Sequence, residues 1–400
     1  MKVGILRETK TPPDRRTIAS PQQCLEILSK FQQIDLYVQS SEIRCYKDDE
    51  YKVLGIKVTD DVSHCDILLG VKEVHIPTII PGKTYLFFSH TAKKQPYNRG
   101  LLQAMVNHKC RLLDHEYLTD RNGLRLVAYG KWAGIVGAYN GLIAGGKKYG
   151  LYELKRAKDC FDFSEMIRQV EKVKLPPIKI LITGKGRVGR GAMETLAPLN
   201  LKQISPENFL SKTYNEPVVC QIDADTYTCR KDGQPFDFGH FFKNPTLYEG
   251  LFKPYQKVTD FYVACHFWDP ASPEFITAED MREPDFKMRV ISDVSCDIKK
   301  PIASTIRPST IADPFYGVDP KTGEEGDPWK KSNITVGAVD NLPGELPRDA
   351  SVFFGQGLID RVYPSLFGED TEGIIERACI ARDGMLTQRY VYLQDFLEGK

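Results

Sequence analysis

The stretch Lys179–Leu196, KILITGKGRVGRGAMETL, constrains the fold more than any other part of this chain. Ile180, Leu181 and Ile182 form a short apolar run that reads as a buried strand. Gly184, Gly186 and Gly189 follow at G-x-G-x-x-G spacing, and Ala192, Met193 and Leu196 then recur at helical spacing. Strand, glycine turn and helix start together make a dinucleotide-binding turn. Gly184 allows the tight bend, Gly186 lets a pyrophosphate approach the backbone, and Gly189 lets the helix lie close to the strand. The helix N-terminus then offers unpaired N–H groups to phosphate. A ribose-binding acid is expected about 20 residues on. Leu201–Thr213 supplies only Glu207, directly after Pro206, whereas Lys212 and Thr213 lie nearer the expected strand end, so Thr213 is counted with the cofactor residues. A base there suits a 2′-phosphate as well as a 2′-hydroxyl. NAD and NADP both stay open, with a slight lean to NADP.

A chain of 400 residues suggests two domains, each able to bury its own core. With a net charge of +1 and 27% charged residues, no global field favours a nucleic-acid or membrane partner. The ten cysteines contain no C-x-x-C pair, which argues against a metal site or a disulfide framework and for reduced thiols in a cytoplasmic enzyme. The start, MKVGILRETK, is not a signal peptide, and no window reaches the ~18 apolar residues of a membrane span. Small-molecule substrates are the expected partners, with monomer and homo-oligomer both open.

Along the chain, apolar strand-like runs alternate with helical patterns. Val3–Leu6, Ile34–Val38, Cys65–Val71, Tyr85–Phe88 and Cys110–Leu113 read as strands, with Leu126–Tyr129 short and extended. Between them, Ser20 caps a helix opening at Pro21, Asp48–Leu54 is a short helix, and Arg99–Val106 is another. Lys131–Tyr149 is mostly apolar with five glycines and reads either as a connector helix packed closely on other backbone or as an ordinary core helix. After the glycine turn, Asp223–Gly233 reads as a surface insertion, Phe261–Phe267, Met288–Val294 and Thr335–Val339 as strands, and Lys321–Trp329 as a polar loop. Leu346–Phe367 is helical with Ala350, Phe353, Phe354, Leu358 and Ile359 along one stripe. The expected fold is α/β: two Rossmann-like parallel-sheet domains with a cleft between them, the first discontinuous. Residues 1–130 and 350–400 form the substrate and catalytic domain, and 131–349 the dinucleotide domain with its connector helix.

Ligands of open α/β sheets collect at the carboxyl ends of strands. Lys72 and Glu73 follow one strand-like run, and His90 follows the next. A histidine there moves protons near neutral pH, and a lysine pressed by burial or another cation acts as a base. Arg15 and Arg16 follow a turn after the first strand, where an arginine suits a substrate carboxylate. Glu116, Asp293, Asp297 and Asp340 also lie at strand ends.

Several blocks then carry a resemblance: RRTIASP at Arg15–Pro21, GVKEV at Gly70–Val74 and KTYLFFSHTAKKQ at Lys83–Gln95. RLLDHEYL at Arg111–Leu118, VAYGKWAGIVG at Val127–Gly137, SDVSCDI at Ser292–Ile298 and VDNLPGELPRDAS at Val339–Ser351 extend it over most of the chain. The sequence resembles the lysine-forming saccharopine dehydrogenases and the lysine–ketoglutarate reductase part of the bifunctional lysine-degrading enzyme. It is more distantly similar to alanine dehydrogenase and the transhydrogenase nucleotide-binding subunit. The resemblance implies Lys72 and His90 as the acid–base pair, and Arg16, Glu73, Gln95, Glu116, Tyr129, Ser295, Cys296 and Asp297 around the substrate. It places Gly186, Arg187, Val188, Val294, Val339, Asp340, Asn341 and Leu342 at the cofactor. The implied reaction converts saccharopine and oxidised nicotinamide reversibly to lysine and 2-oxoglutarate. An alanine dehydrogenase-like enzyme, another opine-type reductase and a non-catalytic nucleotide-binding regulator are the alternatives.

Overall fold

The apolar runs of the first hundred residues become the strands of one sheet in the computed structural model, which describes all 400 residues. They are β1 (Lys2–Ile5), β2 (Asp35–Gln39), β3 (Lys57–Thr59), β4 (Ile67–Leu69), β5 (Thr84–Phe87) and β6 (Arg111–Asp114). All pair in parallel. Side chains alternate across the sheet, so Leu86 and Leu113 enter one core with Val3 and Ile5, while Tyr85, Phe87 and Leu112 enter the other with Leu102 and Met105. Helix Pro21–Lys30 opens with a capping box: the Ser20 hydroxyl accepts the Gln23 N–H, and the Gln23 side chain accepts that of Ser20.

The chain then builds a second unit, Gly130–Leu346, and returns to the first with Pro347–Lys400. The second unit contains β7 (Lys179–Thr183), β8 (Lys202–Gln203), β9 (Val218–Ile222), β10 (Thr228–Arg230) and β11 (Tyr248–Gly250). It continues with β12 (Phe261–Ala264), β13 (Val290–Asp293), β14 (Phe315–Val318), β15 (Glu325–Gly326) and β16 (Ile334–Gly337). Its main sheet runs β15-β14-β16-β13-β12-β7-β9-β8, with β14 and β15 antiparallel and the rest parallel. Helix Gly130–Tyr149 packs on helix Arg187–Leu196 within this unit. A Cβ on Gly134 would strike the Val188 carbonyl, and one on Gly191 the Lys131 carbonyl, so the glycines serve a close helix crossing.

On its return the chain adds β17 (Cys379–Arg382) and β18 (Met385–Leu386), giving the first sheet the order β18-β17-β6-β5-β4-β1-β2-β3. Helix Pro347–Arg361 buries Ala350, Phe354, Leu358 and Ile359, but Phe353 is 43% exposed, so the apolar stripe is narrower than read. All ten cysteines are unpaired. No helix is long and apolar enough to cross a membrane.

Three readings are corrected. Asp223–Gly233 is not a loop throughout but holds a short helix, Ala224–Tyr227, and β10, which pairs with β11. Leu126–Tyr129 forms no strand. Leu201–Thr213 does not carry the strand beside β7: it holds the two-residue edge strand β8 and helix Pro206–Ser211, and Lys212 and Thr213 simply follow that helix, exposed. The neighbour of β7 is β9, which ends at Ile222.

Candidate active site

Register sets the geometry of the first unit. Ile5 lies opposite Leu69, Leu69 opposite Leu86, and Leu86 opposite Leu113. The carboxyl ends of β1, β4, β5 and β6 are therefore level, on strands about 4.8 Å apart. The segments leaving them carry Glu8, Lys72 with Glu73, His90, and Glu116 side by side.

Glu73 joins the groups. Its Oε1 lies 2.6 Å from Nδ1 of His90, and its Oε2 accepts from Nζ of Lys10 at 3.0 Å. Burial alone would raise the Glu73 carboxyl, but His90 and Lys10 outweigh it and hold the group at about 2. With Nδ1 engaged, Nε2 is the ring atom of His90 left for chemistry. Burial, then the charges of Arg16 and Lys10, bring the Lys72 ammonium down to about 8. A lysine so shifted at a strand end is a candidate base.

Arg16 lies 3% exposed over the Tyr129 ring, 4.3 Å from its centroid. Asp14 grips it from Oδ1 to Nε at 3.0 Å and from Oδ2 to Nη2 at 2.6 Å. Burial pushes the Asp14 carboxyl up, but the guanidinium overrides it and holds the acid far below the usual carboxylate range. Glu116 belongs to a neighbouring cluster: Oε1 meets Lys93 at 2.9 Å and Arg125 at 2.7 Å, while Oε2 is buried without a partner. Gln95 stands apart, exposed and accepting a hydrogen bond from the Tyr97 hydroxyl. Behind the cluster, burial lowers His115 to about 4, and its neutral ring donates from Nε2 to the Gly70 carbonyl at 2.9 Å.

In the second unit, Thr183 lies opposite both Ile222 and Ala264, and Ala264 opposite Asp293, so these strand ends are level too. Gly184 has φ +89°, and a Cβ there would sit 2.6 Å from the Cys265 carbonyl. A Cβ on Gly189 would run into the Gly184 carbonyl, whereas one on Gly186, the N-cap of helix Arg187–Leu196, meets nothing within 4 Å. Arg187 and Val188 form the first turn of that helix. Asp223, directly after β9, accepts the Lys185 N–H of the glycine turn at Oδ2 (3.2 Å) and caps helix Ala224–Tyr227 through Oδ1. After β13, Val294 packs against Gly137, the Ser295 hydroxyl bonds the buried Asp293, and the Cys296 thiol donates to the Ala338 carbonyl at 3.0 Å. Asp297 follows, raised by burial and by Asp293. Val339 and Leu342, after β16, are buried, Asn341 half-buried and Asp340 exposed.

No sequence pattern marks Glu8, Lys10, Asp14 or His115, and Asp223 opens the stretch that reads as an insertion or loop. For Asp223 a signal existed: the apolar run Val218–Ile222 ends directly before it. For Asp14 the clue is weaker, an acid two residues before an arginine.

Residues 4–136 match the family model of the alanine dehydrogenase/PNT N-terminal domain. The alpha-aminoadipic semialdehyde synthase of Arabidopsis thaliana is 28% identical over 98% of this chain and 41% of its own length. A saccharopine dehydrogenase [NAD(+), L-lysine-forming] of Candida glabrata is 27% identical over 88% of this chain and 89% of its own. The chain spans less than half the length of the alpha-aminoadipic semialdehyde synthases it matches. Among solved structures an L-alanine dehydrogenase shares the fold, with a TM-score of 0.68 over 100% of this chain and 99% of that one at 15% identity. Residues 4–136 are thus similar to the alanine dehydrogenase/PNT N-terminal domain, and the chain as a whole is similar to saccharopine dehydrogenases and alpha-aminoadipic semialdehyde synthases and shares its fold with L-alanine dehydrogenase.

Proposed function

We propose that the protein is a nicotinamide-dependent oxidoreductase that interconverts saccharopine with L-lysine and 2-oxoglutarate. The observation that carries this reading is the group at the level strand ends of the first unit: Lys72 lowered to about 8, His90 buttressed by Glu73, and Arg16 set by Asp14. Oxidising a secondary amine and hydrolysing the resulting imine moves several protons and needs anchored carboxylates. Proton carriers in distinct environments and a buried guanidinium meet those needs. The activities for which the similar proteins are named support the substrate class.

The glycine turn fits a dinucleotide, because Gly186 leaves open space where a pyrophosphate approaches the helix N-terminus. Gly184, Arg187, Val188 and Gly189 would shape that site, with Val294 and Val339–Leu342 at the nicotinamide end. When bound, the nicotinamide exchanges the hydride. Neutral Lys72 takes the proton of the secondary amine, and His90 moves the protons of water addition and carbinolamine collapse through Nε2. Arg16, on Tyr129, holds a substrate carboxylate, and Glu116 is proposed as a contact of the lysine ammonium. Ser295, Cys296 and Asp297, after β13, are proposed as further substrate contacts. Gln95, exposed as it is, is retained only as a distal contact.

Asp223 changes the cofactor preference. An acid at the end of the strand beside the glycine turn suits a ribose 2′-hydroxyl and repels a 2′-phosphate. With Lys212 and Thr213 away from any strand end, NAD is the proposed cofactor. Hydrogen bonds to charged groups are worth roughly 1.5–3 kcal/mol. Asp223→Ala should therefore cost about 10- to 100-fold in NADH affinity and little in NADPH affinity, read by fluorescence titration of both. Equal losses would remove the acid from the ribose site.

The glycines give a second check. Gly189→Ala forces a Cβ onto backbone and is expected to destabilise the protein by about 1–3 kcal/mol. Gly186→Ala should leave the melting temperature unchanged and weaken dinucleotide binding alone. Calorimetry with NADH titration separates the two.

The reaction itself is tested by nicotinamide absorbance with lysine plus 2-oxoglutarate against ammonia plus pyruvate, with NADH and NADPH in parallel. Fastest turnover with lysine, 2-oxoglutarate and NADH is expected. Faster turnover with ammonia and pyruvate would make the protein an amino-acid dehydrogenase instead.

A further inference from the structure

We infer that Glu8 is a positioning residue for Lys72: from the segment after β1 its carboxyl holds the Val71 and Lys72 amides and fixes where the lysine side chain leaves the backbone. The inference rests on the reading of Lys72 as a proton carrier.

Both oxygens of Glu8 are committed. Oε1 accepts the Val71 N–H at 2.7 Å, and Oε2 the Lys72 N–H at 2.8 Å. Glu8 is 9% exposed, and the charges of Asp14 and Arg16 act on it in opposite directions. Burying a carboxyl on peptide donors is costly. Burial pushes Glu8 up to about 8, against the two amides that pull it down.

The rest of the segment is held as firmly. The Gly70 N–H donates to Leu86, the Gly70 carbonyl accepts from His115, and the Val71 carbonyl accepts the Phe88 N–H at 3.0 Å. Peptide groups 70 to 72 are thus tied to β5, to the segment after β6 and, through Glu8, to the segment after β1. Of these ties, the Glu8 grip is the one on the Lys72 peptide itself. The side chain it aims is pressed by burial, Arg16 and Lys10 and drawn up by Asp14 and Glu73. Small movements of its backbone change all of those distances. A misplacement of about 1 Å costs about 100-fold in rate.

Glu8→Gln keeps the side-chain length and one acceptor but turns a donor towards an N–H. It is expected to lower turnover with lysine and 2-oxoglutarate by about 10- to 100-fold with the NADH KM unchanged. In a Lys72→Met background the same substitution should cost nothing further, because its effect passes through Lys72. An equal cost in both backgrounds, or full turnover of Glu8→Gln, overturns the inference. If Glu8→Gln does not fold, Glu8→Asp, one methylene short of the amides, serves in its place.

A readout independent of turnover is acetic-anhydride labelling of Lys72 against pH, followed by mass spectrometry. Loosened from its frame, Lys72 should titrate upward from about 8 towards the ordinary lysine value of about 10.4, while the exposed Lys52 is unmoved. An unchanged Lys72 profile in the variant overturns the positioning role. Absence of wild-type turnover with lysine and 2-oxoglutarate overturns the proposed reaction separately.

Discussion

His90→Ala and Lys72→Met are each expected to lower turnover by about 10²- to 10⁴-fold with the fold intact, the range general acid–base groups contribute. Both side chains leave strand ends rather than cores, and His90 is half-buried, so the substitutions open no large cavity. In the direction that needs Lys72 as a base, the rate should rise with pH and level off above about 8, because burial and the nearby cations favour the neutral amine. Lys10→Met removes one of those cations and should move that limb to higher pH. It also strips Oε2 of Glu73 of its partner. Stopped-flow pH profiles of the three variants check this. A His90 or Lys72 variant with near-full turnover shows that residue to be structural.

Arg16→Met is expected to destabilise the first unit by about 3–5 kcal/mol, the cost of breaking a buried ion pair from one side. Its partner Asp14 is only 2% exposed and would lose the guanidinium that grips both of its oxygens. The double variant Arg16→Met/Asp14→Asn should recover much of the loss, since neither charge then remains buried. Urea unfolding of the three proteins measures the cycle. The pH dependence has a definite sign. The folded Asp14 carboxyl lies far below its ordinary value of about 3.9, so the stabilisation it contributes is present above that value. It is lost as pH falls through the much lower folded value. An affinity defect in Arg16→Met is therefore interpretable only beside its stability.

Local pattern made much of the fold legible. Ser20 with Gln23, the apolar run before Gly184 and the alternation of strands and helices each act through neighbours in sequence, and each is seen as read. What stayed hidden depends on pairing between distant segments. The two-residue β8 sits at the sheet edge and lets β9 lie beside β7, so the acid at the end of the adjacent strand falls at Asp223 rather than near residue 209. The antiparallel β14 and β17 carry no mark that distinguishes them from parallel strands. Within the site, strand-end logic singled out Lys72, His90 and Glu116, because register makes those ends level. The partners that tune them, Asp14, Lys10 and Glu8, lie in the irregular segment after β1. No periodicity reveals which peptide or side chain such a segment touches.

The reaction proposed for this chain joins lysine to 2-oxoglutarate by reductive hydride transfer. The most direct test incubates the protein with lysine, 2-oxoglutarate and NADH deuterated at the transferable position, and identifies the product by mass spectrometry and NMR. The account predicts saccharopine bearing one deuterium on the carbon that was the oxo carbon of 2-oxoglutarate. Unlabelled saccharopine, or oxidation of the cofactor with no saccharopine formed, would contradict this reaction.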